Sequence, residues 1–462
     1  MPDRHPANVI RTSAAIAAGE IAPSEAGGAA IDRLTAYDDT FHVVAHPLYE
    51  AAMDQARAAD DAVARGDALG PLHGVPIGAK DLYDIAGQPT RAGSTILSGS
   101  VAETTATAVT NLEAAGAIVV AKITMTEFAG SAHNLAHPRP VNPYDHTRSP
   151  AGSSSGSGVA VAAGLLPAAL GSDTVASIRL PAAWNGCVGF KPSYGRVSRR
   201  GVFPLAATYD HCGPLTRSVA DAELVARAMA GADPLDVTAR SDPFGDRLDG
   251  VAGVRIGWEE AFATDNVHPE IAAACRAAID ALAGAGAEVV NVTVPLRVEA
   301  AEPYYALLRA EIAAAHHGLW PARRDEYTAS FAGILEAAGE VSRDDVVHAH
   351  EFRIGFGHAM EGLFDEVDAL VTPTIPVNAV PLFPDDDVPF DDGAIGLLTF
   401  TWLWNFCGAP AVSVPWGLDA EGLPNSVQLI AAPGADPTAL AVAASVEAAA
   451  PDLPPPSRRP RG

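Results

Sequence analysis

The chain of 462 residues predicts an α/β fold built as one large domain. Three observations carry that prediction. Helical and strand-like segments alternate over most of the length. Hydrophobic residues make up 48% of the chain, enough to bury a sizeable core. No linker-like run separates one half from the other. The expected organisation is a helical segment over 1–66 packed on a core domain over 67–450, then a Pro- and Arg-rich flexible tail over 451–462.

Residues 7–66 read as helical, with Ala-rich apolar spacing and alternating charge from Tyr49 to Asp60. Leu72–Ala79 mixes apolar residues with Gly and Pro, which suits a buried strand with turns. A helix over Thr105–Gly116 runs into a strand over Ala117–Lys122. The patch Ser149-Pro-Ala-Gly-Ser-Ser-Ser-Gly-Ser-Gly158 precedes a helix at Val159–Ala163. Leu165–Gly171 is a short apolar strand or a buried turn. Further strands are expected at Val254–Trp258, Glu288–Val294, Ala369–Thr372, Ala411–Val414 and Ser426–Ile430. Further helices are expected at Pro269–Ala283, Ala301–His317, Asp344–Phe364 and Pro437–Ala449. Asp385–Asp392 reads as a solvated acidic loop.

The charge balance is 30 Lys+Arg against 56 Asp+Glu, a formal net charge of −26. Such a surface argues against a nucleic-acid partner, which needs a basic face. No apolar run reaches membrane-spanning length, and no leader segment is evident. A cytoplasmic protein without membrane contact is expected. Cys187, Cys212, Cys275 and Cys407 show no paired spacing and read as free buried thiols. Among the basic residues only Lys80, Lys122 and Lys191 are lysines.

The Ser/Gly patch lacks the Lys of a phosphate loop and the third Gly of a dinucleotide turn. It reads either as a helix-capping turn or as a turn bringing hydroxyls to a buried site. Ser177 lies in a second loop, after the apolar stretch 165–171. A serine needs a base before it can attack. His211, beside Asp210, is one candidate or else a loop histidine. Lys80 is another if it is buried and neutral; its alternatives are an ion pair or a strand-end surface position.

Three segments together resemble the amidase signature family of serine hydrolases: Gly74-Val-Pro-Ile-Gly-Ala-Lys-Asp81, Gly152-Ser-Ser-Ser-Gly-Ser157 and Gly171-Ser-Asp-Thr-Val-Ala-Ser-Ile-Arg-Leu-Pro-Ala-Ala183. The likeness covers most of the chain in order and is weak over 230–360. It implies a mixed, many-stranded central sheet with helices on both faces. It also implies a Ser–cis-Ser–Lys triad: Ser177 as nucleophile, Ser153 as the relay at a cis peptide bond, Lys80 as base. Backbone N–H groups of Thr174, Val175, Ala176 and Ser177 are implied as the oxyanion hole.

The implied activity is hydrolysis of a small or medium carboxamide through an acyl-enzyme, by a monomer or homodimer without metal or organic cofactor. The alternatives are the glutaminase subunit of a tRNA-dependent amidotransferase, a carbamate or acyl-urea hydrolase, and an inactive scaffold. One departure stands out. The family usually has Gly-Gly before the nucleophile, where this chain has Val175-Ala176. Either the loop keeps ordinary dihedrals here or the oxyanion hole is altered. Asp173 and Arg179 read as a structural pair, Lys122 and Lys191 as structural. Expected substrate contacts are Gly152, Phe128, Tyr209, Arg353, Trp402 and Trp404, with Phe203 as a further aromatic; for each aromatic the core is the alternative.

Overall fold

The computed structural model describes residues 8–383 and 396–456. Eleven strands among these residues form one sheet. They are β1 (Val44–Pro47), β2 (Pro76–Lys80), β3 (Ile118–Ile123), β4 (Ala168–Asp173), β5 (Val188–Lys191), β6 (His211–Thr216), β7 (Arg255–Trp258), β8 (Glu288–Asn291), β9 (Ala369–Pro373), β10 (Ala411–Leu418) and β11 (Pro424–Ala431). Their order is β1-β3-β2-β4-β6-β5-β10-β11-β9-β7-β8. β2 runs parallel to both β3 and β4, and β7 runs parallel to β8 and β9. The other neighbours are antiparallel, so the sheet is mixed.

The strands are apolar without clean alternation because both faces are covered. Successive residues of a strand point to opposite faces. On β11, Ile430 joins one cluster while Leu429 and Ala431 join another. On β3, Val119 and Val120 divide in the same way. One face packs against the helices Thr107–Ala114, Ala301–Ala315, Ala329–Ala338 and Arg343–Glu366. The other packs against Pro23–Phe41, Tyr49–Arg65, Val219–Met229, Pro269–Gly284 and Asp436–Ala449.

The structure corrects the reading of 7–66 as uniformly helical. Three helices, Val9–Ala17, Pro23–Phe41 and Tyr49–Arg65, are interrupted by β1, which pairs with β3. His42 ends the second helix in a left-handed conformation (φ 51°), turning the chain into that strand. Strands β5 and β6 were not among the expected strands; β5 lies within the Gly- and Pro-punctuated stretch 172–192 and β6 beyond it. Their Gly and Pro positions sit against neighbouring backbone: a Cβ on Gly213 would meet Phe190 O at 2.2 Å. The acidic loop Asp385–Asp392 lies outside the described residues. Of the expected tail, residues 451–456 lie against the domain, where Tyr144 Oη donates to Pro454 O (3.1 Å). Cys187, Cys212 and Cys275 are buried free thiols, and Cys407 is half-buried.

Candidate active site

The carboxyl ends of β2 and β4, which run parallel and side by side, deliver the first groups. Lys80 is the last residue of β2 and is fully buried. Its Nζ lies 2.6 Å from Ser153 Oγ and 2.8 Å from Ser172 Oγ. Among the described residues no carboxylate is in ion-pair range of it. Burial pulls the Lys80 ammonium down to about 7, against the opposing attraction of Asp173 and Asp210. Neutral and protonated forms are therefore both accessible near neutrality.

Ser153 follows a cis peptide bond from Gly152, and the helix Ser155–Ala162 starts two residues later. The Ser/Gly composition there answers a packing demand. A Cβ on Gly156 would meet Thr124 O at 2.6 Å, and one on Gly171 would meet Ser154 Oγ at 2.8 Å. Small residues let this helix, the end of β3 and β4 converge beside Lys80.

Beyond Asp173 the chain turns through Thr174–Ser177 into the helix Arg179–Asn185. Each carbonyl of this turn has a partner. Thr174 O accepts from Tyr304 Oη (2.9 Å) and Val175 O from Arg179 Nη2 (3.0 Å). Ala176 O accepts from Leu180 N (2.7 Å) and Ser177 O from Ser154 N (3.2 Å). The N–H groups of the same four residues make no hydrogen bond among the described residues. Carbonyls pinned into the protein leave the amides available on the other side, the arrangement that suits a developing oxyanion. Neither Val175 nor Ala176 has positive φ, so the turn keeps ordinary dihedrals.

A buried charged group holds the turn. Arg179 and Asp173 are both fully buried and meet through two contacts, Nη2 to Oδ1 (2.9 Å) and Nε to Oδ2 (3.0 Å). Asp173 Oδ2 also accepts from the N–H of Ile178 (3.1 Å) and Arg179 (3.3 Å), capping the short helix. Arg179 continues to Thr401 O, Gln428 Oε1 and Asn405 Oδ1. Burial raises the Asp173 carboxyl, but Arg179 and Lys191 outweigh it and hold it well below the usual range. Thr174 Oγ1 donates to Asp210 Oδ1 (2.5 Å), and burial pushes Asp210 up to about 6.

Ser177 faces a cavity of about 350 Å³, within the usual span for small-ligand pockets. Gly152, Val175, Ala176 and Ser177 form its floor. Two helices form its walls, each with one stripe at helical spacing: Tyr305, Leu308, Arg309 and Ile312, then Ser330, Gly333, Ile334 and Ala337. The Ser153 and Ser177 hydroxyls are not hydrogen-bonded to one another among the described residues.

Of the expected contacts, Gly152 lines this cavity and the six others, Phe203 included, sit elsewhere. Phe128 packs one layer behind the wall, against Phe203, His316 and Phe331. Tyr209 packs between Tyr304 and Phe406. Trp402 packs on Tyr304, and Trp404 Nε1 donates to Phe400 O (2.7 Å). Arg353 lies over the Tyr209 ring and donates to Thr208 Oγ1, Thr208 O and Phe406 O. His211 is buried on β6, its Nδ1 2.6 Å from Tyr209 O, and burial with Lys191 nearby drives it well below the usual imidazole range. Lys122 pairs with buried Asp81 (3.0 Å), and Lys191 donates to Ala409 O.

Sequence reasoning missed Ser172, Asn405, Tyr304 and the two cavity stripes. Ser172 lies on β4, the strand that pairs with the strand of Lys80, a proximity that only the fold creates. The stripes lie in the weakly matching stretch 230–360, where no motif marks them.

The model of the Amidase family matches residues 26–440. A glutamyl-tRNA(Gln) amidotransferase subunit from Salinispora arenicola is 38% identical, over 96% of this chain and 97% of its own length. A solved structure described as a vestigial complex revealing the origins of an s-triazine catabolic enzyme aligns with TM-score 0.88 at 31% identity, covering 95% of this chain and 97% of its own. A solved amidase aligns with TM-score 0.86 at 33% identity, covering 96% of this chain and all of its own.

Proposed function

The chain belongs to the amidase family, whose members are enzymes acting on C–N amide bonds, and on that premise we propose a Ser177 acyl-enzyme mechanism for a carboxamide hydrolase. The observation that carries this reading is the turn Thr174–Ser177, with every carbonyl engaged and its N–H groups unengaged at a cavity floor. Neutral Lys80 accepts a proton from Ser153, and Ser153 accepts one from Ser177. The Ser177 hydroxyl reorients toward Ser153 for that step. Ser177 Oγ then attacks the amide carbon, and the carbonyl oxygen gains charge beside the turn's N–H groups. As the C–N bond breaks, the relay returns its proton to the leaving amine. Water attacks the acyl-enzyme by the same route and releases the acid. An apolar cavity without a carboxylate among its described lining suits carboxamides of small to medium size.

A second reading is favoured by the curated relatives, whose names place them in glutamyl-tRNA(Gln) amidotransferases. In that reading the amide is glutamine and the released ammonia passes to a partner protein. The likeness to a solved amidase and the apolar walls support the stand-alone reading. A panel of aliphatic, aryl and carbamate substrates, with glutamine included, separates the two. Turnover of alkyl or aryl amides by the chain alone, lost in Ser177→Ala, supports the first. Ammonia release from glutamine only after addition of the other amidotransferase components supports the second. Near-normal amide hydrolysis by pure Ser177→Ala overturns the nucleophile.

A further inference from the structure

The chain carries a formal charge of −26, yet no Asp or Glu lines the cavity among the described residues. The lining includes one arginine, Arg309. It is half-buried on the helix Ala301–Ala315, on the same stripe as Tyr305, Leu308 and Ile312. The other arginines near the turn are committed to the protein: Arg179 to Asp173 and Asn405, Arg353 to Thr208 and Phe406. Arg309 makes no side-chain hydrogen bond or ion pair among the described residues. It stands where the cavity meets an outer groove, since Tyr305, Arg309 and Ala337 border both. The outer groove carries Glu302, Glu340 and Asp345, none in ion-pair range of the Arg309 guanidinium.

Arg309 is half-buried among the apolar residues of the lining, so it is only partly hydrated. Its five N–H donors match the two oxygens of a carboxylate. We propose that Arg309 selects amides carrying a carboxylate remote from the scissile bond, the chain between the two lying along Leu308, Ile312 and Ile334. The local cation then offsets the repulsion an anion meets from the molecule as a whole. This deepens the amide-hydrolase reading and rests on it for which end of the substrate reaches Ser177.

The test uses monoamides of linear dicarboxylic acids in a series of lengths, each paired with a straight-chain alkyl amide of the same length. Binding is measured by calorimetry on Ser177→Ala, so that affinity is read apart from turnover. The ratio of kcat/KM for each pair is measured on the wild type. At least one length is expected to favour the anionic member by about tenfold or more in both readouts. Arg309→Met should collapse that ratio toward one, and Arg309→Lys should restore part of it, with thermal midpoints checking that both variants fold. Equal binding within every pair, or a ratio unmoved by Arg309→Met, overturns the proposal. Selective anion binding without turnover of either member keeps the subsite and instead contradicts the hydrolase reading.

Discussion

Lys80 shows why residue type can matter more than charge. In the proposed mechanism Lys80 is the base, and arginine, which is not deprotonated at working pH, cannot replace it. Lys80→Arg should lower kcat by roughly 10²–10⁴-fold, with the folded state checked by circular dichroism. The sign of the pH dependence follows from burial. The ammonium is pulled down to about 7, and only the neutral form accepts a proton. Activity should therefore rise with pH through a midpoint near 7, falling toward tenfold per unit below it. A kcat/KM profile checks this, and the limb should vanish in a Lys80→Met variant with residual activity. Lys80 and Ser153, which the fold brings within 2.6 Å, and Ser177 at the cavity floor each sit in a short motif visible in the sequence. Ser172 was not readable, because a strand serine bonded to an amine leaves no pattern of its own. The six expected contacts outside the cavity lining are five aromatics and one arginine, types that sequence alone cannot divide between core and pocket.

In the proposed mechanism the turn between β4 and the helix Arg179–Asn185 carries the chemistry, and the Asp173–Arg179 pair holds the turn. Arg179 ties the turn to distant segments, through Val175 O, Thr401 O, Gln428 Oε1 and Asn405 Oδ1. Arg179→Met should cost about 3–5 kcal/mol, because it leaves a buried carboxylate uncompensated. A shift of the urea midpoint at constant slope measures that loss, and activity should fall with it as the turn loses its shape. The pair was legible from its place around the motif. The network around it was not, because Thr401, Asn405 and Gln428 lie more than 220 residues away. Strand β1 escaped notice for a related reason. Four residues between Ala-rich helices give no alternation to read, and only pairing with β3 makes them a strand.

Across the whole molecule the unusual lysine count acquires a structural meaning. All three lysines are fully buried, each at a strand end or within a strand: Lys80 on β2, Lys122 on β3, Lys191 on β5. The surface cations are arginines. An amine-acylating reagent at neutral pH should leave all three side chains unmodified in the native protein and modify them after denaturation. Peptide mass mapping checks this, and fast native modification of Lys122 would contradict its burial against Asp81. The α/β class and most of the central strands were visible because a large two-faced sheet produces apolar runs. The cavity walls were not, because helices that shape a pocket differ from ordinary amphipathic helices only in what they face.

The account turns on Ser177 becoming acylated. Purified protein quenched with acid during turnover of a slowly deacylating aryl amide should gain the mass of one acyl group, mapped by digestion to the peptide holding Ser177 and absent from Ser177→Ala. An adduct on another residue, or undiminished turnover by Ser177→Ala with no adduct, would contradict it.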